Sequence, residues 1–307
     1  MKIIVTGASG LLGRRLMREL RCSTSHEVIG MAYRRSQNDL ISLNLLDHDK
    51  AKTFWLMQRP DWIIHTAVDR NLNKSEANPA QAFDLNVKAI QTLLNCVSQM
   101  NTRILYISTD YVFDGTAPPY YPDTPPNPIN VYGKSKQAAE ELLLKAISEV
   151  YILRLPLLYG SVEYLEESVV TGLVALFLKQ NGKIVVDNWA IRYPTYTDDV
   201  AVVCRQIIEL INSGYNKLPR VCHWSAKEAY TKFEIIRLIA TMFELKTDNI
   251  IPTVPSTDKV LSPRDCCLDS TLLEELDIGQ ETDFKTVLYS ILANFCGNYF
   301  ILEKSAV

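Results

Sequence analysis

Thr6-Gly7-Ala8-Ser9-Gly10-Leu11-Leu12-Gly13 follows directly on the apolar run Lys2-Ile3-Ile4-Val5 and opens a helically spaced segment over 11–21. Each glycine has a distinct job in such a strand–turn–helix junction. Gly7 permits the tight turn, Gly10 lets backbone approach a pyrophosphate, and Gly13 lets the helix pack close to the strand. The unpaired amides at the helix N-terminus favour that anion. The context, rather than the glycines alone, makes this a dinucleotide-binding signal.

Outward from this junction the first half alternates. Apolar, β-rich runs at 2–6, 27–33, 41–45, 61–66, 103–108 and 150–156 are separated by helical stretches near 11–21, 48–58, 78–100 and 131–149. Such alternation predicts an α/β fold, a doubly wound parallel sheet with helices on both faces. After residue 156 the rhythm weakens. Helices are expected near 165–180, 197–212 and 230–244, with short strands at 183–186 and 221–224. A last helix carries Phe284, Val287, Leu288, Ile291, Leu292 and Phe295 at 3.6-residue spacing. These features divide the chain into a cofactor lobe over 1–160, a smaller interleaved C-terminal lobe over 161–296 and a tail over 297–307. Later segments are allowed to return to the first lobe, since no Gly/Ser-rich linker separates the two.

Composition narrows the function classes. The 307 residues are 47% hydrophobic and 22% charged, with a formal net charge of −3. That balance fits a globular protein and argues against a nucleic-acid-binding surface, which carries a basic excess. No secretory leader pattern precedes Lys2, and the weakly polar run from Ser168 to Leu178 is too short to cross a bilayer. Seven cysteines without CxxC spacing read as free thiols, and four isolated histidines make no metal site. The expectation is a cytoplasmic protein with no metal, no membrane and no nucleic-acid partner.

The end of the second strand selects the cofactor. It runs into Tyr33-Arg34-Arg35, where NAD enzymes place an acidic residue on the ribose. Two guanidinium groups suit a 2′-phosphate, so NADP is expected. The ends of the third and fourth strands nominate Asn44, Leu45, Thr66 and Arg70 for the adenine and pyrophosphate. Tyr132 and Lys136 lie four apart on one helix face. A nearby ammonium would lower the phenol's pKa and let it exchange a proton while a nicotinamide exchanges hydride. Lys136 would also hold the nicotinamide ribose, and Thr109 at a strand end would bind a substrate oxygen. Asp110, Asp114 and Gly115 are expected to shape the loop entering the site. Asn86 would order groups near the lysine. Leu158 either presses on the nicotinamide or is an ordinary core residue.

The G-x-x-G-x-x-G spacing resembles the extended short-chain dehydrogenases, which have a Rossmann-type fold. Thr109-Asp110-Tyr111-Val112-Phe113-Asp114-Gly115 and Val131-Tyr132-Gly133-Lys134-Ser135-Lys136 resemble their dTDP-4-dehydrorhamnose reductase branch, as do Tyr193–Ala201 and Ser262-Pro263-Arg264-Asp265. Leu153–Gly160, Leu165-Glu166-Glu167-Ser168, His223-Trp224-Ser225 and Leu276-Asp277-Ile278-Gly279-Gln280 are similar to the regulatory beta subunits of methionine adenosyltransferase. That resemblance implies a non-catalytic subunit that binds NADP. It implies association with the catalytic subunit and modulation of S-adenosylmethionine synthesis. It extends the cofactor contacts to Ser9, Leu11 and Leu12, beside Gly7, Gly10, Gly13, Tyr33, Arg34, Arg35, Asn44, Leu45, Thr66, Arg70, Tyr132, Lys136 and Leu158. Two departures stand out. Ala139 precedes Glu140 where the family has Gly-Glu, and the tail Asn298–Lys304 does not match the family's partner-entering tail. The tail is therefore either an apolar anchor or a frayed terminus. The intact Thr109, Tyr132 and Lys136 keep an alternative open, an NADPH-dependent reductase of a nucleotide-linked keto-sugar.

Overall fold

The structure is a computed structural model. It describes residues 1–33, 35, 39–97, 100–145, 149–177, 183–254 and 260–304, with side chains of the last helix described to 294. The strands are β1 (Lys2–Thr6), β2 (Glu27–Ala32), β3 (Ile41–Ser42), β4 (Trp62–His65), β5 (Arg103–Thr109), β6 (Val150–Leu155), β7 (Leu158–Tyr159), β8 (Ile184–Asp187), β9 (Thr195–Tyr196), β10 (Val221–His223) and β11 (Ile250–Thr253). The helices are α1 (Leu11–Ser23), α2 (His48–Gln58), α3 (Leu72–Ala77), α4 (Pro79–Phe83), α5 (Ala89–Val97), α6 (Val131–Lys145), α7 (Val169–Gly172), α8 (Thr197–Asn212), α9 (Lys232–Phe243), α10 (Thr271–Glu274) and α11 (Phe284–Lys304).

Seven parallel strands form the central sheet in the order β10-β6-β5-β4-β1-β2-β3. The doubly wound α/β fold expected from the alternation is therefore present. Both sheet faces are covered, which is why its strands read as continuous apolar runs rather than alternating ones. Leu12, Leu16 and Leu20 of α1 pack with Val200, Val203 and Ile207 of α8 on one face. Trp55 of α2, Ile90 and Leu93 of α5, and Leu143 of α6 cover the other.

The chain returns to the central sheet after residue 160. The helix α8 packs on α1, and β10 extends the sheet by pairing Val221 with Ile152 and His223 with Arg154. A separate core joins Val170, Val174, Val186, Ile235, Ile239, Ile250 and Leu288 around the small β8–β11 sheet. In the last helix Phe284, Leu288, Ile291 and Leu292 are buried, as their spacing predicts. The helical backbone continues to Lys304, beyond the point where the tail was expected to begin.

Several elements differ from their sequence reading. The helix expected over 78–100 runs from Pro79, where Asn78 caps it, to Val97, with a π-helical turn at Asp84–Lys88 inside it; the short helix α3, capped by Asn71, precedes it. The expected helix near 165–180 splits into short turns, and only Ile41–Ser42 of the third run pairs with β2. Periodicity cannot register the break at Ser168, whose side chain caps α7.

Candidate functional site

The strand order reverses between β1 and β4, and this is where a doubly wound sheet opens its ligand crevice. Gly7 lies there with φ +66, and an added Cβ would meet Thr66 Oγ1 at 2.8 Å and the Ala67 amide at 2.9 Å. Gly10 donates to Gly7 O at 2.8 Å and begins α1 without a side-chain cap or an acidic residue in the first turn. A Cβ on Gly13 would sit 2.2 Å from Gly7 O, so the helix packs directly against the turn. The Thr6 hydroxyl accepts from the Thr66 and Ala67 amides, and Thr66 Oγ1 donates to Thr6 O at 2.6 Å. These bonds fix the two strand ends that form the crevice.

A cavity of about 840 Å³ opens over this junction. Gly7, Ser9, Gly10, Leu11, Leu12 and Gly13 line it, as do Tyr33, Arg35, Asn44, Leu45, Thr66 and Arg70. Thr109, Tyr132, Lys136 and Leu158 line the same space. Arg34 lies outside the described residues. Asn44 shapes its loop by accepting from the Leu46 amide at 3.0 Å. Leu158 packs against the main core as well as facing the cavity, so its two readings coexist. With uncapped helix amides at one end and a phenol and an ammonium at the other, this donor set fits a dinucleotide with a diphosphate.

The Tyr/Lys pair departs from its expected electrostatics. Lys136 Nζ donates to Ile107 O at 2.7 Å and lies 3.9 Å from the Tyr106 ring centroid. Burial drives its ammonium down to about 7, against the opposing charge of Glu140. The Tyr132 phenol is raised rather than lowered. Burial raises it most, and the hydrogen bond with Thr109 and the charge of Arg70 only partly offset this. The correction has a plain cause: desolvation of a buried phenol outweighs nearby cations. Thr109 also bonds Asp110 Oδ1 at 3.1 Å, and burial lifts Asp110 to about 6.

Behind the cavity lies a polar layer that includes Asn86 and Asp114, which the sequence nominated, and a Glu140–Arg154 pair, which it did not. Glu140 is buried and holds Arg154 through Nη2 at 2.7 Å and Nε at 3.1 and 3.2 Å, while Ser108 donates to Glu140. Arg154 Nη1 lies 3.3 Å from His223 Nε2. Asn86, in the π-helical turn, donates to Ser135 at 2.9 Å and accepts from the Asp69 amide at 3.3 Å. Asp114 organises the entry loop by accepting from Tyr120, Thr116 and Asn127; the Tyr120 bond is the main reason its carboxyl falls to about 2.

At the other end, Arg35 is held by acidic residues that pattern reading could not pair with it. Its Nη1 contacts Glu163 Oε2 at 2.6 Å and Glu167 Oε1 at 3.0 Å. Glu167 also takes two bonds from Arg14, at 2.8 and 2.6 Å, and its carbonyl accepts from Arg70. Glu167 is lowered to about 2 by these bonds in spite of its burial. Arg192 lines the cavity but donates to Ile191 O and Pro263 O at 2.7 and 3.0 Å. Among the described residues no group of three His, Cys, Asp or Glu side chains could hold a metal ion, and no helix is long and apolar enough to cross a membrane.

A glycine turn at the switch point, sharing one cavity with Thr109, Tyr132 and Lys136, defines a protein of the short-chain dehydrogenase/reductase type. More narrowly, the chain belongs to the RmlD substrate binding domain family, which matches residues 1–296. It is 37% identical over 287 residues to methionine adenosyltransferase 2 subunit beta of Bos taurus, covering 92% of this chain and 85% of that one. It is 29% identical over 302 residues to a dTDP-4-dehydrorhamnose reductase of Aggregatibacter actinomycetemcomitans, covering 95% and 98%. Among solved structures, a Bacillus anthracis dTDP-4-dehydrorhamnose reductase in complex with NADP superimposes with TM-score 0.80 at 25% identity, over 95% of this chain and 99% of that one.

Proposed function

We propose that this chain is a cytoplasmic regulatory subunit of methionine adenosyltransferase that binds NADP and modulates S-adenosylmethionine synthesis by the catalytic subunit. The observation that carries this reading is the 37% identity to the beta subunit across 92% of the chain, second lobe included, against 29% to the reductase. In this reading residues 1–160, with α8 and β10, form the cofactor lobe, and the remainder of 161–296 faces the partner.

The amides of Ser9 to Leu12 would hold the diphosphate. Asn44, Leu45 and Thr66 would flank the adenosine, Arg34 and Arg35 would take the 2′-phosphate, and Tyr132, Lys136 and Leu158 would border the nicotinamide. A bound nicotinamide supplies hydride exchange. For turnover, Tyr132 would have to move a proton, yet its buried phenol holds that proton more firmly than usual. Lys136 is engaged by the Ile107 carbonyl.

A second reading, reduction of a nucleotide-linked keto-sugar, is favoured by Thr109, Tyr132 and Lys136 lining one cavity with Asp110 and Arg192. Co-purification with the methionine adenosyltransferase catalytic subunit separates the two. Complex formation with altered S-adenosylmethionine output is expected. Failure to form a complex, together with NADPH consumption on a dTDP-4-keto-6-deoxy sugar, would overturn the regulatory reading.

A further inference from the structure

The ion-pair cluster at the mouth of the cavity has two carboxylates with different freedom to move. The side chain of Glu167 is 2% exposed and bound by both terminal nitrogens of Arg14, and it also accepts from the Glu163 amide at 2.9 Å. It is a fixed part of the wall. The side chain of Glu163 is 51% exposed, makes one short contact to Arg35 Nη1 at 2.6 Å, and reaches Arg14 only at 3.5 Å. Arg35 is further placed by the Tyr164 ring, 5.9 Å from its guanidinium carbon.

We propose that the Glu163 carboxylate is a displaceable stand-in for the cofactor's 2′-phosphate and thereby sets the preference between NADP and NAD. This rests on the cofactor reading above. A phosphomonoester carries nearly two negative charges and three acceptor oxygens, so it competes effectively with one half-exposed carboxylate for a guanidinium. Glu167 stays in place and keeps Arg35 aimed, because moving it would strand a buried carboxylate and the Arg14 that pairs with it. NAD lacks the 2′-phosphate, so Arg35 keeps its Glu163 partner. The Glu163 oxygen that does not hold Arg35 then accepts from a ribose 2′-hydroxyl, the role an acidic residue plays in this fold. One segment, 161–167, would thus report which cofactor is bound to the lobe that carries it.

Calorimetric titration of the full chain with NADP and with NAD tests this in wild type, Glu163→Gln, Arg35→Ala and the double variant. Glu163→Gln should raise the NADP-to-NAD affinity ratio about fivefold, the scale of one exposed ion pair removed from competition. In the Arg35→Ala background the same substitution should leave the ratio unchanged. An unaltered ratio in Glu163→Gln, with wild-type cofactor binding intact, overturns the proposal. So does an equal gain without Arg35, which would make the effect long-range repulsion. Wild-type protein that binds neither nucleotide overturns the cofactor reading, and this inference with it. Thermal melting of each variant confirms that the fold persists.

Discussion

Gly13 illustrates how a single missing Cβ shapes the site. The atoms an alanine would meet, Gly7 O at 2.2 Å and Ala8 Cα at 2.8 Å, are backbone and cannot swing aside. Gly13→Ala is expected to cost about 1–3 kcal/mol in urea unfolding and to weaken dinucleotide binding, because α1 must back away from the turn. His223 acts through protons instead. Burial, with Arg154 nearby, lowers it to about 3, and burial lowers His65 similarly. The unfolded chain takes up these protons below pH 6.5, while the folded chain resists until near pH 3. The stability these two histidines contribute is therefore full above pH 6.5 and is lost as pH falls through that window. Asp110, raised to about 6, works in the opposite sense, so the total does not isolate the histidine. The clean measurement is the difference. Between pH 7.5 and 5.5, His223→Gln should lose about 1 kcal/mol less stability than wild type. Equal losses would show that His223 is not held neutral.

The helix α6 carries Tyr132, Lys136 and Glu140 at successive four-residue steps, and so delivers cavity groups and their backing from one face. The first two were legible because the spacing is local. Glu140 was seen only as the residue after Ala139, since its partner Arg154 comes from β6 and the pairing needs the folded sheet. Both side chains are buried, and a lone survivor would be an uncompensated charge. Glu140→Leu should cost about 3–5 kcal/mol by chemical denaturation. Adding Arg154→Met should recover part of that loss, and a double variant no better than the single would refute the pairing. The π-helical turn at Asp84–Lys88 has the same lesson. The apolar pattern of 78–100 reads as one helix and the run 79–97 is helical throughout, but the π-turn, whose buried Asn86 bonds Ser135 on α6, depends on a residue far along the chain.

At the scale of the molecule, segments before and after residue 160 are joined around the cavity by long-range ion pairs. Arg14 on α1 reaches Glu167, 153 positions away, and Arg35 reaches Glu163 across 128. The last helix secures the second lobe through Phe284, Leu288, Ile291 and Leu292. Deleting residues 297–307 should therefore leave the melting temperature nearly unchanged while weakening capture of the catalytic partner; retained capture would place the contact elsewhere. The sequence by itself determined the strand–helix alternation, the glycine turn and the Tyr132/Lys136 face, because each depends on neighbours within a few residues. It also nominated cofactor contacts from strand ends, the glycine turn and the Tyr132/Lys136 helix, and every one of them that is described lines the one cavity, since strand ends in a parallel sheet converge on one edge. Only the tertiary structure decided that Lys136 faces the Ile107 carbonyl and that Tyr132 is raised. Only it decided that Arg35 waits on Glu163, and that α8 and β10 return to the first lobe. Those outcomes depend on burial and on distances between residues far apart in the chain, which no local pattern encodes.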